Sequence, residues 1–317
     1  MKTLRIVLVF VSAIVVSTVA RADGLTVDDI GANYQWLRYP ASDGGNRELF
    51  VFHPPDHKPG DRRTAVVCIH GGGWTSGRPE YFLPHCHYFA SRGAVAFSIG
   101  YRLVTEKGPE ALDKVGVCIA DCKAALRHIR KNADTFGIDP DRIVVMGDSA
   151  GGHLAACLGT MEGYDPGSDT TVNAMADAVV CYNPCIDMKL PLVLRIFGIG
   201  QGAGGSDGSG NDPEVKKRAE AVSPINHVRA GLSPTLVMHG MADTVIPVEQ
   251  ARRYADAMKR AGNRCDLTVL DGVSHAFVIV GIGTEETIVK ALRTTDEFLG
   301  SLGFLEGEPT IELKKNK

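Results

Sequence analysis

Several features that mark other classes of protein are scarce in this chain. Its 317 residues include eight cysteines, too few for a disulfide scaffold at this length. Its 34 basic residues do not outnumber its 37 acidic ones, so no basic field indicates a nucleic acid partner. There is no internal repeat. With 44% hydrophobic residues, the composition is that of a globular protein with a large core.

Long apolar runs are also missing, apart from one at the amino terminus. Basic residues precede the apolar run Ile6–Ala20, and Ala20-Arg21-Ala22 offers small residues at the two positions that a signal peptidase reads. The run is shorter than the roughly 20 residues that a membrane span needs. We therefore predict that residues 1–22 are a signal peptide and that the mature chain is secreted or periplasmic, without a membrane span. A membrane anchor is the alternative.

The cysteines have two interpretations. Those at 68, 157 and 181 lie in apolar runs, where small buried core residues are expected. Export would make a disulfide possible, and the near pairs are Cys118 with Cys122 and Cys181 with Cys185. Spacing alone leaves the connectivity open.

Short apolar runs alternate with longer amphipathic stretches along residues 23–317. The runs are continuously apolar, as in parallel strands that are covered on both faces. This rhythm predicts a single α/β domain with a mostly parallel central sheet and helices on both faces, and Glu48–Phe52 as an added antiparallel edge. The predicted core strands are Ala65–Ile69, Ala94–Ile99, Ile143–Met146, Ala178–Tyr182, Thr235–Met238 and Leu267–Leu270, and the predicted helices include Ala111–Asn132, Val248–Ala261 and Thr287–Leu302.

A glycine-rich segment, residues 188–212, interrupts this rhythm between the fourth and fifth core strands. It begins apolar and continues into a run of Gly, Ser and Asp. Such loops inside a compact domain are usually mobile, functional or both. We interpret the segment as a small flexible insertion over the carboxyl edge of the sheet, with a plain surface loop as the alternative.

A possible nucleophile lies in Gly147-Asp148-Ser149-Ala150-Gly151, which fits the pattern G-x-S-x-G. A predicted strand enters this turn and a predicted helix leaves it. Side chains two residues before and after the serine would collide in so tight a turn, and glycine removes the collision. Ser149 is therefore the candidate nucleophile, while the Asp148 side chain is expected to point away from it.

Donors for an oxyanion are predicted in the run HGGGW at residues 70–74, directly after a core strand. Consecutive glycines let the main chain approach a substrate and adopt unusual dihedrals. Acyl transfer needs backbone N–H groups aimed at the forming oxyanion. We predict that Gly72, Gly73 and Ala150 supply them.

The triad order Ser, Asp, His then identifies a base and an acid. His275 follows the strand at 267–270, and Asp243 follows the strand at 235–238. A carboxylate at that point can accept a hydrogen bond from imidazole Nδ1 and leave Nε2 to take the serine proton. Asp187, after the fourth strand, is the rival acid.

Other residues in these motifs are assigned supporting parts. His70 is expected to hold the glycine loop by hydrogen bonds, and His239 to support the acid loop. His153 is expected to pack in the core. Trp74 is our candidate for a substrate contact, with simple packing as the alternative.

Taken in order, HGGGW at 70–74, Gly-Tyr-Arg at 100–102, GDSAGGH at 147–153 and Ser-His-Ala-Phe at 274–277 resemble the α/β-hydrolase superfamily. Within it the chain resembles the hormone-sensitive-lipase-like and the xylan/feruloyl-esterase-like carboxylesterases. The resemblance runs from about Pro54 to the last helix. It implies the α/β-hydrolase fold and hydrolysis of short acyl or small aryl esters, and secreted members often deacylate plant polysaccharide. Little sequence precedes the HGGGW strand to build the large helical cap of the hormone-sensitive-lipase group.

These motifs predict a serine carboxylic-ester hydrolase that works through an acyl-serine, without metal or cofactor. A prolyl-oligopeptidase-like serine peptidase and a non-catalytic binding module on the same fold are the alternatives.

Overall fold

The computed structural model describes residues 34–163, 171–200 and 209–313. The predicted signal peptide, residues 1–22, lies outside this part of the chain, and so do residues 201–208 of the glycine-rich segment. Within the described ranges, no helix combines the length and hydropathy needed to cross a bilayer.

One eight-stranded sheet forms the centre of the fold. Its strands are β1 (Gln35–Pro40), β2 (Asn46–Phe52), β3 (Arg63–Ile69), β4 (Val95–Ile99), β5 (Ile138–Asp148), β6 (Ala178–Tyr182), β7 (Thr235–Gly240) and β8 (Cys265–Leu270). They lie in the order β1-β2-β4-β3-β5-β6-β7-β8. The strands from β4 to β8 in this order are parallel, and β2 runs antiparallel to both β1 and β4.

Helices cover both faces of the sheet. They are α1 (Leu83–Ser91), α2 (Glu110–Lys131), α3 (Ala133–Phe136), α4 (Ala150–Thr160), α5 (Pro191–Ile196), α6 (Pro213–Ala221), α7 (Val248–Arg260) and α8 (Glu285–Ser301). Successive residues of β3 belong to opposite apolar clusters. Val67 packs in the cluster that contains Ile119 of α2, whereas Val66 packs in the cluster that contains Leu292 of α8. Burial on both faces explains why the core strands are continuously apolar.

The six predicted core strands and three predicted helices are confirmed to within a few residues, except that β5 extends further in both directions. The prediction for the antiparallel edge was wrong in one respect. Residues 48–52 do form an antiparallel strand, but β1 lies outside it and is the edge. In β1 only Tyr39 is buried, and the other residues of the strand are exposed. The sequence of β1 therefore carries no pattern of buried apolar residues.

All eight cysteines lie in the described part of the chain, and all are buried and free. Neither near pair, Cys118 with Cys122 or Cys181 with Cys185, forms a disulfide. The two thiols in contact are instead those of Cys68 on β3 and Cys86 on α1, whose sulfur atoms are 3.7 Å apart.

The strand register brings the motif-bearing loops to one edge of the sheet. Ile69 of β3 pairs with Gly147 of β5, and Asp148 of β5 pairs with Tyr182 of β6. Because these strands are parallel and end together, the segments that follow them start side by side. The loops after β7 and β8 open at the same edge.

Candidate active site

Ser149 occupies a sharp turn between β5 and α4. Its backbone is in an unusual conformation, with φ of 54° and ψ of −116°. A Cβ on Gly147 would overlap the carbonyl of Gly151, and a Cβ on Gly151 would overlap the carbonyl of Ile69. The two glycines are therefore required by close packing, and the strain at Ser149 is of the kind found at functional sites.

The structure brings Ser149, His275 and Asp243 into one hydrogen-bonded line. His275 Nε2 lies 2.9 Å from Ser149 Oγ, and His275 Nδ1 lies 2.7 Å from Asp243 Oδ2. The Asp243 side chain is fully buried, whereas that of His275 is 17% exposed. The imidazole therefore faces the surface beside the hydroxyl, and the carboxylate is screened from water behind it.

The loop after β7 holds Asp243 as an anion. Asp243 Oδ1 accepts hydrogen bonds from the backbone N–H groups of Val245 and Ile246, both at 2.8 Å. His239 Nε2 lies 3.2 Å from Asp243 Oδ2 and 2.8 Å from the Ile246 carbonyl. Burial raises the pKa of Asp243, but the hydrogen bonds from His239 and His275 outweigh it and hold that pKa well below the usual range. His239 thus supports the acid loop as predicted.

The rival acid lies elsewhere. Asp187 accepts hydrogen bonds from the backbone N–H of Lys189 and from Arg253, and it makes no hydrogen bond to His275. Asp148 also makes no hydrogen bond to Ser149. Its buried carboxylate accepts a hydrogen bond from Asn183 and lies against Gly71.

The loop after β3 passes beside the serine, since a Cβ on Gly71 would lie 3.3 Å from Ser149 Cβ. Gly72 and Gly73 have φ values of 116° and 60°, and a Cβ on Gly72 would overlap the Ser76 carbonyl. Among the described residues, no carbonyl accepts a hydrogen bond from either N–H. Ala150 is the first residue of α4, where the backbone N–H has no partner within the helix. The predicted oxyanion donors are therefore available.

His70 braces this loop from inside. Its Nδ1 lies 2.8 Å from the Gly71 carbonyl, and its ring stacks on Tyr101 at 4.3 Å. Burial lowers the pKa of His70 to about 4, so the ring is neutral near pH 7. His70 therefore acts as a structural residue, as expected.

The interpretation of Trp74 as a substrate contact is corrected. The side chain is only 2% exposed, and its indole N–H donates to His153 Nδ1 at 3.1 Å. Its ring also packs on Phe197, with centroids 5.8 Å apart. Of the two interpretations of Trp74, packing is the one observed, and His153 is a core residue as predicted.

A residue that the sequence did not single out reaches the glycine loop instead. A Cβ on Gly73 would lie 3.6 Å from Cδ1 of Ile196, the last residue of α5. This helix lies in the segment 188–212 that we interpreted as a flexible insertion. Two features of the sequence could have predicted this helix: the apolar residues at the start of the segment, and Pro191 at the first helical position.

Comparison with known families decides the classification. A family model described as BD-FAE matches residues 51–258, which is more than half of the chain and includes Ser149 and Asp243. The chain belongs to the BD-FAE family. His275 lies beyond the matched residues, so its place in the site depends on the geometry above.

Solved structures agree with this classification. Esterase 2 of Thermogutta terrifontis superposes with a TM-score of 0.74 at 37% identity, over 87% of this chain and 97% of that one. The predicted α/β-hydrolase fold and the resemblance to carboxylesterases are confirmed.

Curated relatives share part of their length with the chain. Esterase LipQ of Mycobacterium tuberculosis is 28% identical over 82% of this chain and 61% of its own. The acetylxylan esterase of Xylanibacter ruminicola is 28% identical over 77% of this chain and 45% of its own. The chain thus spans less than two thirds of either relative.

Proposed function

We propose that this protein is a serine carboxylic-ester hydrolase. The observation that carries the proposal is the continuous line from Ser149 Oγ through His275 to the buried Asp243 carboxylate, beside available backbone donors. A nucleophile, a base oriented by a third group, and an oxyanion site are the parts that acyl transfer requires.

The proposed mechanism gives each step to named atoms. His275 Nε2 takes the Ser149 proton as Oγ attacks the acyl carbon, and Asp243 accepts from Nδ1–H and stabilises the imidazolium. The N–H groups of Gly72, Gly73 and Ala150 bind the oxygen that becomes negative. The imidazolium then protonates the departing alcohol. Water, deprotonated by His275, attacks the acyl-serine and releases the acid and Ser149.

Short acyl groups are the proposed substrates. Structures of the Thermogutta terrifontis esterase are known with propionate and with butyrate bound. The relative named as an acetylxylan esterase supports the narrower proposal that acetyl groups on plant polysaccharide are natural substrates. No metal or cofactor enters the proposed steps.

We also propose that residues 1–22 are removed on export, which leaves residues 23–317 as one domain in the periplasm or outside the cell. The basic start, apolar run and Ala20-Arg21-Ala22 support this. Amino-terminal sequencing of the protein from the cell envelope and medium should find a chain that starts at Asp23. An intact amino terminus in the cytoplasm would contradict export.

Hydrolysis of p-nitrophenyl acetate, butyrate and octanoate tests the activity, with Ser149→Ala as the control. We expect turnover that falls with acyl length and drops at least about a thousandfold in the variant. Turnover equal to that of the variant on all three esters would reject the esterase and favour a peptidase or a binding module.

A further inference from the structure

The contact between Ile196 and Gly73 bears on which esters the site accepts. Cδ1 of Ile196 would lie 3.6 Å, and Cγ2 3.9 Å, from a Cβ on Gly73. These would be ordinary van der Waals distances, so the isoleucine methyl groups lie on the side of Gly73 where a side chain would project. The side chain is only partly buried, and therefore one side of it remains exposed next to the oxyanion loop.

Ile196 is held in this place from its backbone. Its carbonyl accepts a hydrogen bond from Lys107 Nζ at 3.0 Å, and the next carbonyl, that of Phe197, accepts from the Gly108 N–H at 2.7 Å. These two hydrogen bonds join the end of α5 to residues 107 and 108.

The core side of the same turn is equally fixed. Phe197 is fully buried and packs on the Trp74 ring, and Val193 of α5 is fully buried in the same cluster. The Trp74 carbonyl in turn accepts from the Val104 N–H at 2.8 Å. The packing of the buried Trp74 on Phe197 therefore connects the oxyanion loop to the residue that follows Ile196.

The chemistry of the tetrahedral intermediate indicates which part of the ester is free to meet Ile196. The alcohol oxygen must face His275 Nε2, because that atom protonates it. The oxyanion must face the N–H groups of Gly72 and Gly73. The acyl chain is the remaining substituent on the carbon. Ile196 is a partly exposed apolar side chain beside the same oxyanion loop.

We propose that Ile196 is a specificity-determining residue that limits the length of the acyl chain. The inference rests on the proposed esterase function, and it names the residue that would select short acyl groups. A β-branched side chain with two rotatable bonds is stiff, and here it is packed against a fixed loop. A longer acyl chain would have to displace it.

Three substitutions at this position test the proposal. Ile196→Val removes Cδ1, the atom nearest Gly73, with little risk to folding. Ile196→Ala removes most of the side chain, and Ile196→Phe replaces it with a larger one. A methylene group in an apolar pocket changes kcat/KM by roughly 10- to 200-fold. We expect Ile196→Ala to raise the octanoate-to-acetate ratio of kcat/KM by at least about tenfold, Ile196→Val to raise it less, and Ile196→Phe to lower the butyrate-to-acetate ratio.

Leu302→Ala is the control, since it removes a partly buried aliphatic side chain after α8, two residues from Phe304, whose carbonyl accepts a hydrogen bond from Thr64 at the start of β3. It should leave both ratios unchanged. A second series with acetyl esters of phenol and naphthol holds the acyl group constant, and these ratios should not respond to Ile196→Ala.

The outcomes separate this inference from the proposed function. If wild-type turnover depends on Ser149 but Ile196→Ala lowers kcat for all acyl lengths equally, the residue only supports the loop and the inference is overturned. A change confined to the phenol and naphthol series would place Ile196 on the alcohol side and also overturn it. If the wild type has no turnover that depends on Ser149, the esterase proposal itself fails.

Discussion

Asn183 donates a hydrogen bond from Nδ2 to Oδ1 of Asp148 at 2.8 Å, and both side chains are buried directly behind Ser149. Asn183 adopts a left-handed backbone with φ of 36°, and its N–H donates to the Met238 carbonyl at 2.8 Å. Asn is among the residues that tolerate this conformation, and here it supplies a donor to the aspartate that precedes the serine.

Burial raises the pKa of Asp148 to about 6, although His275 and Asn183 both act to lower it. A carboxyl group with a raised folded-state pKa favours folding below its ordinary value of 3.8, and this contribution is lost as the pH rises through 6. Asp148→Asn keeps the shape and removes the ionisation. We expect the variant's free energy of unfolding, relative to wild type, to rise by up to about 3 kcal/mol between pH 4 and pH 7.

Urea unfolding at several pH values measures this difference. Asn226→Ala, which removes an exposed side chain without an ionisable group, is the control and should give a constant difference between variant and wild type. A constant difference for Asp148→Asn as well would show that Asp148 is already ionised at low pH, contrary to the expectation from its burial.

Burial of His85 makes the stability of the protein depend on pH in the direction opposite to that expected for Asp148. His85 of α1 lies against the rings of Phe82 and Tyr182, and neither of its ring nitrogens has a hydrogen-bond partner among the described residues. Burial lowers the pKa of His85 to about 3. A depressed histidine pKa gives stability above the ordinary value of 6.5 that is lost as the pH falls toward the folded value.

His85→Phe should therefore gain stability relative to wild type on acidification. Between pH 7 and pH 5 the relative gain should be about 2 kcal/mol, by urea unfolding. Any packing change is common to both pH values and cancels in the comparison. An equal effect of the substitution at pH 7 and pH 5 would mean that His85 is protonated, or neutral, to the same degree in the folded and unfolded protein.

The assignment of the acid is tested by a matched pair of substitutions. Asp243→Asn removes the charge beside His275 Nδ1 and permits the wrong tautomer, so kcat on p-nitrophenyl acetate should fall by roughly a hundredfold or more. Asp187→Asn, at the rival position, should leave kcat within about threefold, because its partners are Lys189 and Arg253. The reverse result would make Asp187 the acid.

Much of this architecture could be predicted because burial leaves a clear pattern. The core strands are continuously apolar, and the residues at their carboxyl ends carry strict steric demands. Gly147 and Gly151 can be recognised because the turn at Ser149 tolerates nothing larger. The positions of Ser149, Asp243 and His275 at one sheet edge follow from parallel strands that end together.

The rest depends on tertiary contacts that no local pattern encodes. The edge strand β1 has exposed side chains, and α5 is six residues long within a glycine-rich segment. Trp74 follows the glycine loop and was a reasonable candidate for a substrate contact. Only its burial and the packing of its ring on Phe197 show that it turns inward.

The acyl-serine mechanism is tested most directly by trapping the nucleophile. The protein would be treated with paraoxon, a compound that phosphorylates the Thermogutta terrifontis esterase, and digested for peptide mass spectrometry. We predict one equivalent of diethyl phosphoryl group on Ser149, with loss of ester hydrolysis in proportion to labelling, and no label in Ser149→Ala. Hydrolysis that persists in protein fully labelled at Ser149, or a label on another residue that accounts for the loss of activity, would contradict the mechanism.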